Sequence, residues 1–359
     1  MILIKKYGIL IIIIVSLSSC VTKSNLIKRD DFSEKVLKMS PLLISLTKQN
    51  LNGLTDEEIF DKADDAFDVE DYDKSLYYYF NLVKYYKNSP YLLLSLYNIA
   101  AIMEEKNEID NAVKIYNYII DNYPDNPLYN RASFRLAMLL EAQGKYLVAL
   151  KVVSKIDKKG LIVDDRLKIN VLKGVLLVES GNINSGIDIL EKTDFMYLKQ
   201  KRKKIKFDTY FWGWERFTVA ETIFAEFKNA GVVHREQEKM KMELEKKAEF
   251  LLDCQREYFK TIRIGSAYWA TAAVYKIGLL YEYFYLEVSA IKPPDSLTEE
   301  EKNVYFEELH KIMSPVIKKA ITAYKKIIYY SGMWGVKTEW VEKARRHLEI
   351  LKELNKKII

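Results

Sequence analysis

Cysteine, histidine, proline and glycine are all scarce in this 359-residue chain, at 2, 3, 7 and 13 residues. Two cysteines, Cys20 and Cys254, exclude a disulfide-stapled scaffold, and so few glycines exclude a collagen-like one. His234, His310 and His347 lie at no ligand spacing from one another, and HExxH and CxxC patterns are missing, so no metal and no cofactor is assigned. GxSxG, P-loop and GxGxxG patterns are missing too. Cys254 has no histidine near it in sequence and reads as a buried, inert thiol on an amphipathic helix. No catalytic residue emerges, and the chain is expected not to be an enzyme. What is abundant is apolar and charged surface, 49% and 30% of residues, which excludes wholesale disorder. Rich Leu, Ile, Lys, Glu and Tyr with little Gly or Pro predict an all-α protein of one or two domains.

The first residues set an address. Lys5 and Lys6 precede an uninterrupted aliphatic run, Ile9 to Val15, that closes on Leu17-Ser18-Ser19-Cys20. This is the layout of a secretory signal over residues 1–19. The run falls short of the roughly 20 residues a membrane-spanning helix needs. Its ending resembles the bacterial lipobox. The resemblance implies cleavage before Cys20, a diacylglycerol on its thiol and an acyl chain on the new amine, hence membrane attachment through lipid. Val21, in place of an aspartate, points to the outer membrane, with the chain facing the periplasm. Export argues against a nucleic-acid partner despite the formal charge of +6. Residues 20–54 read as a polar tether and a short helix around 33–50.

A fixed period follows. Small residues fall at Ser75, Ala112, Ala149 and Gly186, each 37 after the last. Twelve positions before each lies another: Ala63, Ala100, Ala137 and Gly174. Four positions after each lies a bulky one: Tyr79, Tyr116, Val153 and Leu190. Antiparallel helices approach closely only where facing residues are small, and one hairpin cannot cover its own apolar face. Gly144 and Gly181 stand where an interhelical turn wants positive φ. Thr55-Asp56-Glu57-Glu58 is a capping box that opens the first unit. The pattern resembles the tetratricopeptide repeat, carried by Ala100, Tyr116 and Pro124 and by Ala137, Gly144 and Ala149, with a period of 37 in place of the usual 34. It implies a helical-hairpin solenoid of four repeats over residues 55–195.

Register is lost at a basic run, Lys199 to Lys206, which places a boundary near residue 200 and a C-terminal helical domain over 205–359. Aromatics from Phe207 to Phe227 recur at helical spacing, and a charged helix spans Met240 to Phe259. Ile264 to Leu286 is interrupted by Lys276 and Glu282, so it reads as a buried helix rather than a membrane span. Thr298 to Glu301 is a second capping box. Helices are expected at 299–312, 315–330 and 337–355, with Pro315 in a first turn and Gly332 and Gly335 as breaks. Tyr275, Gly278, Tyr281, Phe284, Pro293-Pro294, Tyr305, Pro315, Ala320, Tyr324, Gly332, Trp340, Ala344 and Leu348 resemble the C-terminal region of tetratricopeptide envelope proteins from gliding and predatory bacteria. That resemblance implies a scaffold in an envelope assembly.

Three surfaces stand out. Residues 56–73 hold ten acids and one base, a contact for a basic partner if not a solvated turn. The basic run has three readings: a solvated helix end, a contact for anionic lipid, or a pairing site for an acidic protein. A groove of first-helix residues, Leu96, Ile99, Met103, Arg131, Arg135, Met138, Lys168 and Val171, is the candidate site for an envelope protein or peptide. The function expected is a lipid-anchored scaffold or adaptor; the alternative is a subunit of an outer-membrane protein assembly machine.

Overall fold

The computed structural model describes residues 51, 53–233, 236–293 and 297–356. Cys20, the signal segment and the helix expected at 33–50 lie outside the described residues. Within them are thirteen helices and no strand. Four hairpins come first: α1 Asp56–Asp68 with α2 Tyr72–Tyr85, α3 Leu92–Glu105 with α4 Ile109–Asn122, α5 Leu128–Ala142 with α6 Tyr146–Val153, and α7 Val163–Glu179 with α8 Ile183–Arg202. Then come α9 Thr209–Asn229, α10 Gln237–Ile264, α11 Ala267–Ser289, α12 Glu299–Trp334 and α13 Glu339–Lys356. The described chain divides into two compact units, one up to Leu161 and one from Ile162.

In the first unit the notches behave as the period requires. Ala63, Ala100 and Ala137 on the first helices, and Ser75, Ala112 and Ala149 on the second, are all fully buried. Tyr79, Tyr116 and Val153, one turn further on, are buried beside them and fill the hollow that each close approach leaves. Ser75 uses its hydroxyl to donate to the Ala63 carbonyl at 2.8 Å, so even the polar notch residue is satisfied. The capping box forms: Thr55 N–H donates to Glu58 Oε2 at 2.7 Å, and Glu58 N–H to Thr55 Oγ1 at 3.2 Å.

The interhelical turns repeat with the same 37-residue step. Positive φ occurs at Glu70 (60°), Asn107 (60°), Gly144 (71°) and Gly181 (91°). The next N–H reaches back to the carbonyl five residues earlier each time: Asp71 to Ala66 at 2.9 Å, Glu108 to Met103 at 2.7 Å, Lys145 to Leu140 at 2.8 Å and Asn182 to Leu177 at 2.8 Å. This is one Schellman closure used four times. Glycine fits it without steric cost, asparagine tolerates it, and glutamate does not. Glu70→Gly is therefore expected to stabilise the chain by about 1 kcal/mol in chemical denaturation, and Asn107→Gly by less.

In the second unit the fourth hairpin meets its notch at its tightest. A Cβ at Gly174 would stand 2.6 Å from a Leu190 methyl, and one at Gly186 would stand 2.7 Å from the Gly174 carbonyl. The hairpin packs on α9. The two compact units part after Leu161, inside the periodic segment. The notch pattern carries packing within a hairpin and is silent on which hairpins share a unit.

The α9 aromatics build the next layer. Trp214 stacks on Trp269 of α11 at 6.0 Å, and Trp212 on Tyr197 of α8 at 5.2 Å. Charges enter this core in pairs. Trp212 Nε1 donates to Asp194 Oδ1 at 2.8 Å, and Arg216 pairs with the same carboxylate. Glu215 is fully buried with both carboxyl oxygens free of hydrogen bonds, and burial pushes its pKa well above the usual carboxylate range. Lys247, also fully buried, donates to the Phe227 and Ala230 carbonyls at 3.1 and 2.8 Å and pairs with Glu287. Cys254 is inaccessible, and burial, with Glu221 and Asp253 nearby, pushes its thiol up to about 12, which leaves it unreactive.

The stretch read as a buried helix is α11, packed against α9, α10, α12 and α13. No described helix is long and apolar enough to cross a membrane. Gly278 of α11 admits the Tyr324 ring of α12, where a Cβ would stand 2.4 Å from the ring edge. Tyr324 in turn donates to Glu282 at 2.7 Å. The expected break at Pro315 is corrected. Residues 299–334 are a single helix with Pro315 inside it, and Gly332 stays helical, while Gly335 at φ 66° ends it. The carbonyl that Pro315 leaves without a donor is that of Lys311, and both residues are exposed, where solvent can compensate for the missing bond.

Candidate partner-binding surface

The eight residues of the expected groove do not share one surface. Leu96, Ile99, Met103 and Val171 are core residues, the most exposed of them at 3%. Buried this deeply, they offer a ligand no accessible surface. Lys168 and Val171 belong to the second unit, where Lys168 pairs with Asp164 at 2.8 Å and Asp208 at 3.6 Å. Arg131, Arg135 and Met138 on α5 are half-buried at the surface of the first unit.

Stepping back 37 residues from those three finds what the groove reading missed. Leu94, Asn98 and Ala101 on α3 are half-buried at the equivalent places, and Glu57, Asp61 and Asp64 stand there on α1. One turn further lie exposed Asp68, Glu105 and Ala142. The first helices therefore present a stripe whose chemistry changes along the unit. It is acidic on α1, mostly neutral on α3 and basic on α5. The signal lay in the period itself: Arg131 and Met138 less 37 give Leu94 and Ala101, whereas Leu96, Ile99 and Met103 sit on the opposite, buried flank.

Part of the stripe is committed to holding the repeats together. Tyr79 donates its hydroxyl hydrogen to Asp64, and Asn98 Nδ2 donates to the Tyr79 oxygen at 2.8 Å. One repeat later Tyr116 donates to Glu104 Oε1 at 2.6 Å, and Arg135 holds both Glu104 oxygens at 3.0 and 2.6 Å. Tyr79 and Tyr116, and likewise Asn98 and Arg135, are 37 apart. Each tyrosine thus joins its own first helix to the next one. The following pair of positions holds Val153 and Leu172, which carry no group for such a clasp. Burial raises the Asp64 pKa, and the Tyr116 phenol is held well above its usual range, so it stays a donor.

What is left for a partner is specific. The Arg131 guanidinium of a half-buried side chain lies 5.0 Å from the Tyr97 ring centroid. Leu94, Ala101 and Met138 offer apolar contact, and Glu57, Asp61 and Asp68 offer negative charge. No group of three His, Cys, Asp or Glu among the described residues is arranged to hold a metal. The acidic stretch Asp68 to Asp73 forms the first Schellman turn, with Asp71 capping α2 through the Lys74 N–H at 3.2 Å. The basic run closes α8: Lys199, Lys201 to Lys204 and Lys206 are exposed, with Lys201 over the Trp212 ring.

Residues 49–186 match the family model described as a tetratricopeptide repeat-like domain. The match stops at the fourth notch residue. A crystal structure of a tetratricopeptide repeat protein from Parabacteroides merdae is 13% identical, with 83% of this chain and 98% of that chain covered and a TM-score of 0.41. No curated protein matches the chain. The described residues are thus all-α, their hairpins closed by one turn repeated at a fixed step, and the stretch 49–186 is similar to a tetratricopeptide repeat-like domain.

Proposed function

We propose that the chain is a lipid-anchored envelope scaffold that holds another protein along the first-helix stripe of its first unit. The observation that carries this is the stripe itself. It has the same three positions on successive first helices, graded from Glu57 and Asp61 to Arg131, with Leu94, Ala101 and Met138 between the charges. A surface with one sign of charge at each end fixes the direction of a bound segment as well as its position. The lipobox-like ending at Cys20 supplies the anchor, and two or more acyl chains suffice for stable attachment.

Arg135 is unsuitable for a test, since reversing it would set two acids together in a half-buried clasp. Arg131→Glu combined with Met138→Glu is expected to reduce recovery of the crosslinked partner at least tenfold while helicity stays native, because a buried hot-spot contact contributes about 2 kcal/mol. Undiminished recovery moves the binding surface elsewhere. For the anchor, Cys20→Ala is expected to let a high-salt wash strip the protein from membranes that retain the native chain. Equal retention defeats the lipid assignment.

A further inference from the structure

We propose that the exposed end of α12, built from Tyr329, Tyr330, Met333 and Trp334, docks on an anionic lipid bilayer. The helix is sharply two-sided. Ile317, Ala320, Tyr324 and Ile327 are buried against the rest of the unit, and the opposite face is open over its whole length. At its C-terminal end that face carries large apolar groups where solvent should favour polar ones. Tyr329 is 66% exposed, Met333 55% and Trp334 67%, with Trp334 stacked on Tyr330 at 5.2 Å. The remaining tryptophans, 212, 214, 269 and 340, are buried or half-buried. Packing among the described residues gives no reason for this cluster.

Charge identifies the occupant. Between Glu308 and Glu339 the sequence has no acid and six lysines. Lys325, Lys326 and Lys337 flank the aromatics, are exposed, and pair with no acid among the described residues. A favourable helix dipole accounts for lysines near a C-terminus. It does not account for exposed Trp, Tyr and Met set among them. Tyrosine and tryptophan favour the headgroup level, where one end of the ring is apolar and the other wet, and each lysine near an anionic leaflet adds about a factor of five in binding. An acidic protein groove would satisfy the lysines yet leave the aromatics no preference for that depth. The docking needs no acyl chain and so stands apart from the assignment of Cys20.

The test reads Trp334 directly. The full chain is reconstituted with phosphatidylcholine vesicles, with and without phosphatidylglycerol, that carry bromine on their acyl chains. Tryptophan emission is expected to be quenched in the anionic vesicles, weakly in the neutral ones, and in neither once Trp334→Phe removes the reporter. Lys325→Gln, Lys326→Gln and Lys337→Gln together are expected to abolish the anionic preference, and Tyr329→Ser with Tyr330→Ser to lower the quenching without touching a buried residue. Trp334 that stays open to an aqueous quencher on vesicle-bound protein overturns the proposal. So does anionic preference that survives the lysine changes but disappears with Lys203→Glu and Lys204→Glu, because the basic run would then be the lipid contact. Protection of Trp334 only when a protein partner is added, with none from lipid, also overturns it.

Discussion

Gly186→Ala is expected to destabilise the second unit by up to about 2 kcal/mol, although helix propensity alone assigns it the opposite sign. An alanine inside a helix is better than a glycine by up to about 1 kcal/mol. At Gly186, however, the added Cβ would stand 2.6 Å from a Val178 methyl, 2.7 Å from the Gly174 carbonyl oxygen and 2.9 Å from the Val178 nitrogen. Two of those atoms are backbone, so α7 and α8 must move apart as rigid bodies, and Leu190 loses its seat over Gly174. Overpacking of this kind costs about 1–3 kcal/mol before the lost propensity gain is offset. Gly332 provides the control. It lies within α12 with nothing within 4 Å of an added Cβ, so Gly332→Ala is expected to stabilise by up to about 1 kcal/mol. Urea denaturation of both variants separates the accounts by sign. Equal stabilisation would mean that the fourth notch is not a close helix contact.

The clasp between the second and third repeats is the other site of large effect. Glu104→Ala is expected to cost about 3 kcal/mol, because it orphans two groups together. The Arg135 guanidinium, 23% exposed, loses the carboxylate that holds it through two bonds, and the Tyr116 hydroxyl, deep beneath, loses its acceptor. Replacing both ions with apolar residues of similar size, Glu104→Leu with Arg135→Met, is expected to recover the part of the loss that comes from the unpaired guanidinium, while the Tyr116 hydroxyl, still without its acceptor, keeps the variant about 1–2 kcal/mol below native. A double-mutant cycle in urea reads the coupling. If the single and double variants lose the same amount, the clasp adds nothing beyond packing.

The hairpins were legible because their determinants are local and periodic. A small residue every 37 positions has one physical use, and all four notch pairs prove to be buried. The turns were half legible. Gly144 and Gly181 announce positive φ by residue type, whereas Glu70 and Asn107 adopt the same φ under the force of the helices around them and give no sign except their place in the period. Pro315 misled because its effect depends on whether the freed carbonyl can find water, which sequence does not show. The groove was misread where apolarity stood in for exposure. Leu96, Ile99, Met103 and Val171 are apolar because they are core, and the exposed positions of α3, Leu94, Asn98 and Ala101, have mixed character that only the offset from α5 picks out. The parting of the chain after Leu161 was illegible, because it depends on contacts between hairpins that the notch pattern does not encode.

The most direct measurement of the central claim is site-specific photo-crosslinking in native membranes, with the reactive group placed in turn at Leu94 and Met138 on the first-helix stripe and at Asn117 and Val148 on the second helices. The account predicts one protein adduct common to positions 94 and 138 and none from 117 or 148. Adducts from 117 and 148 alone, or none at any position, would contradict a scaffold that holds its partner along the first helices.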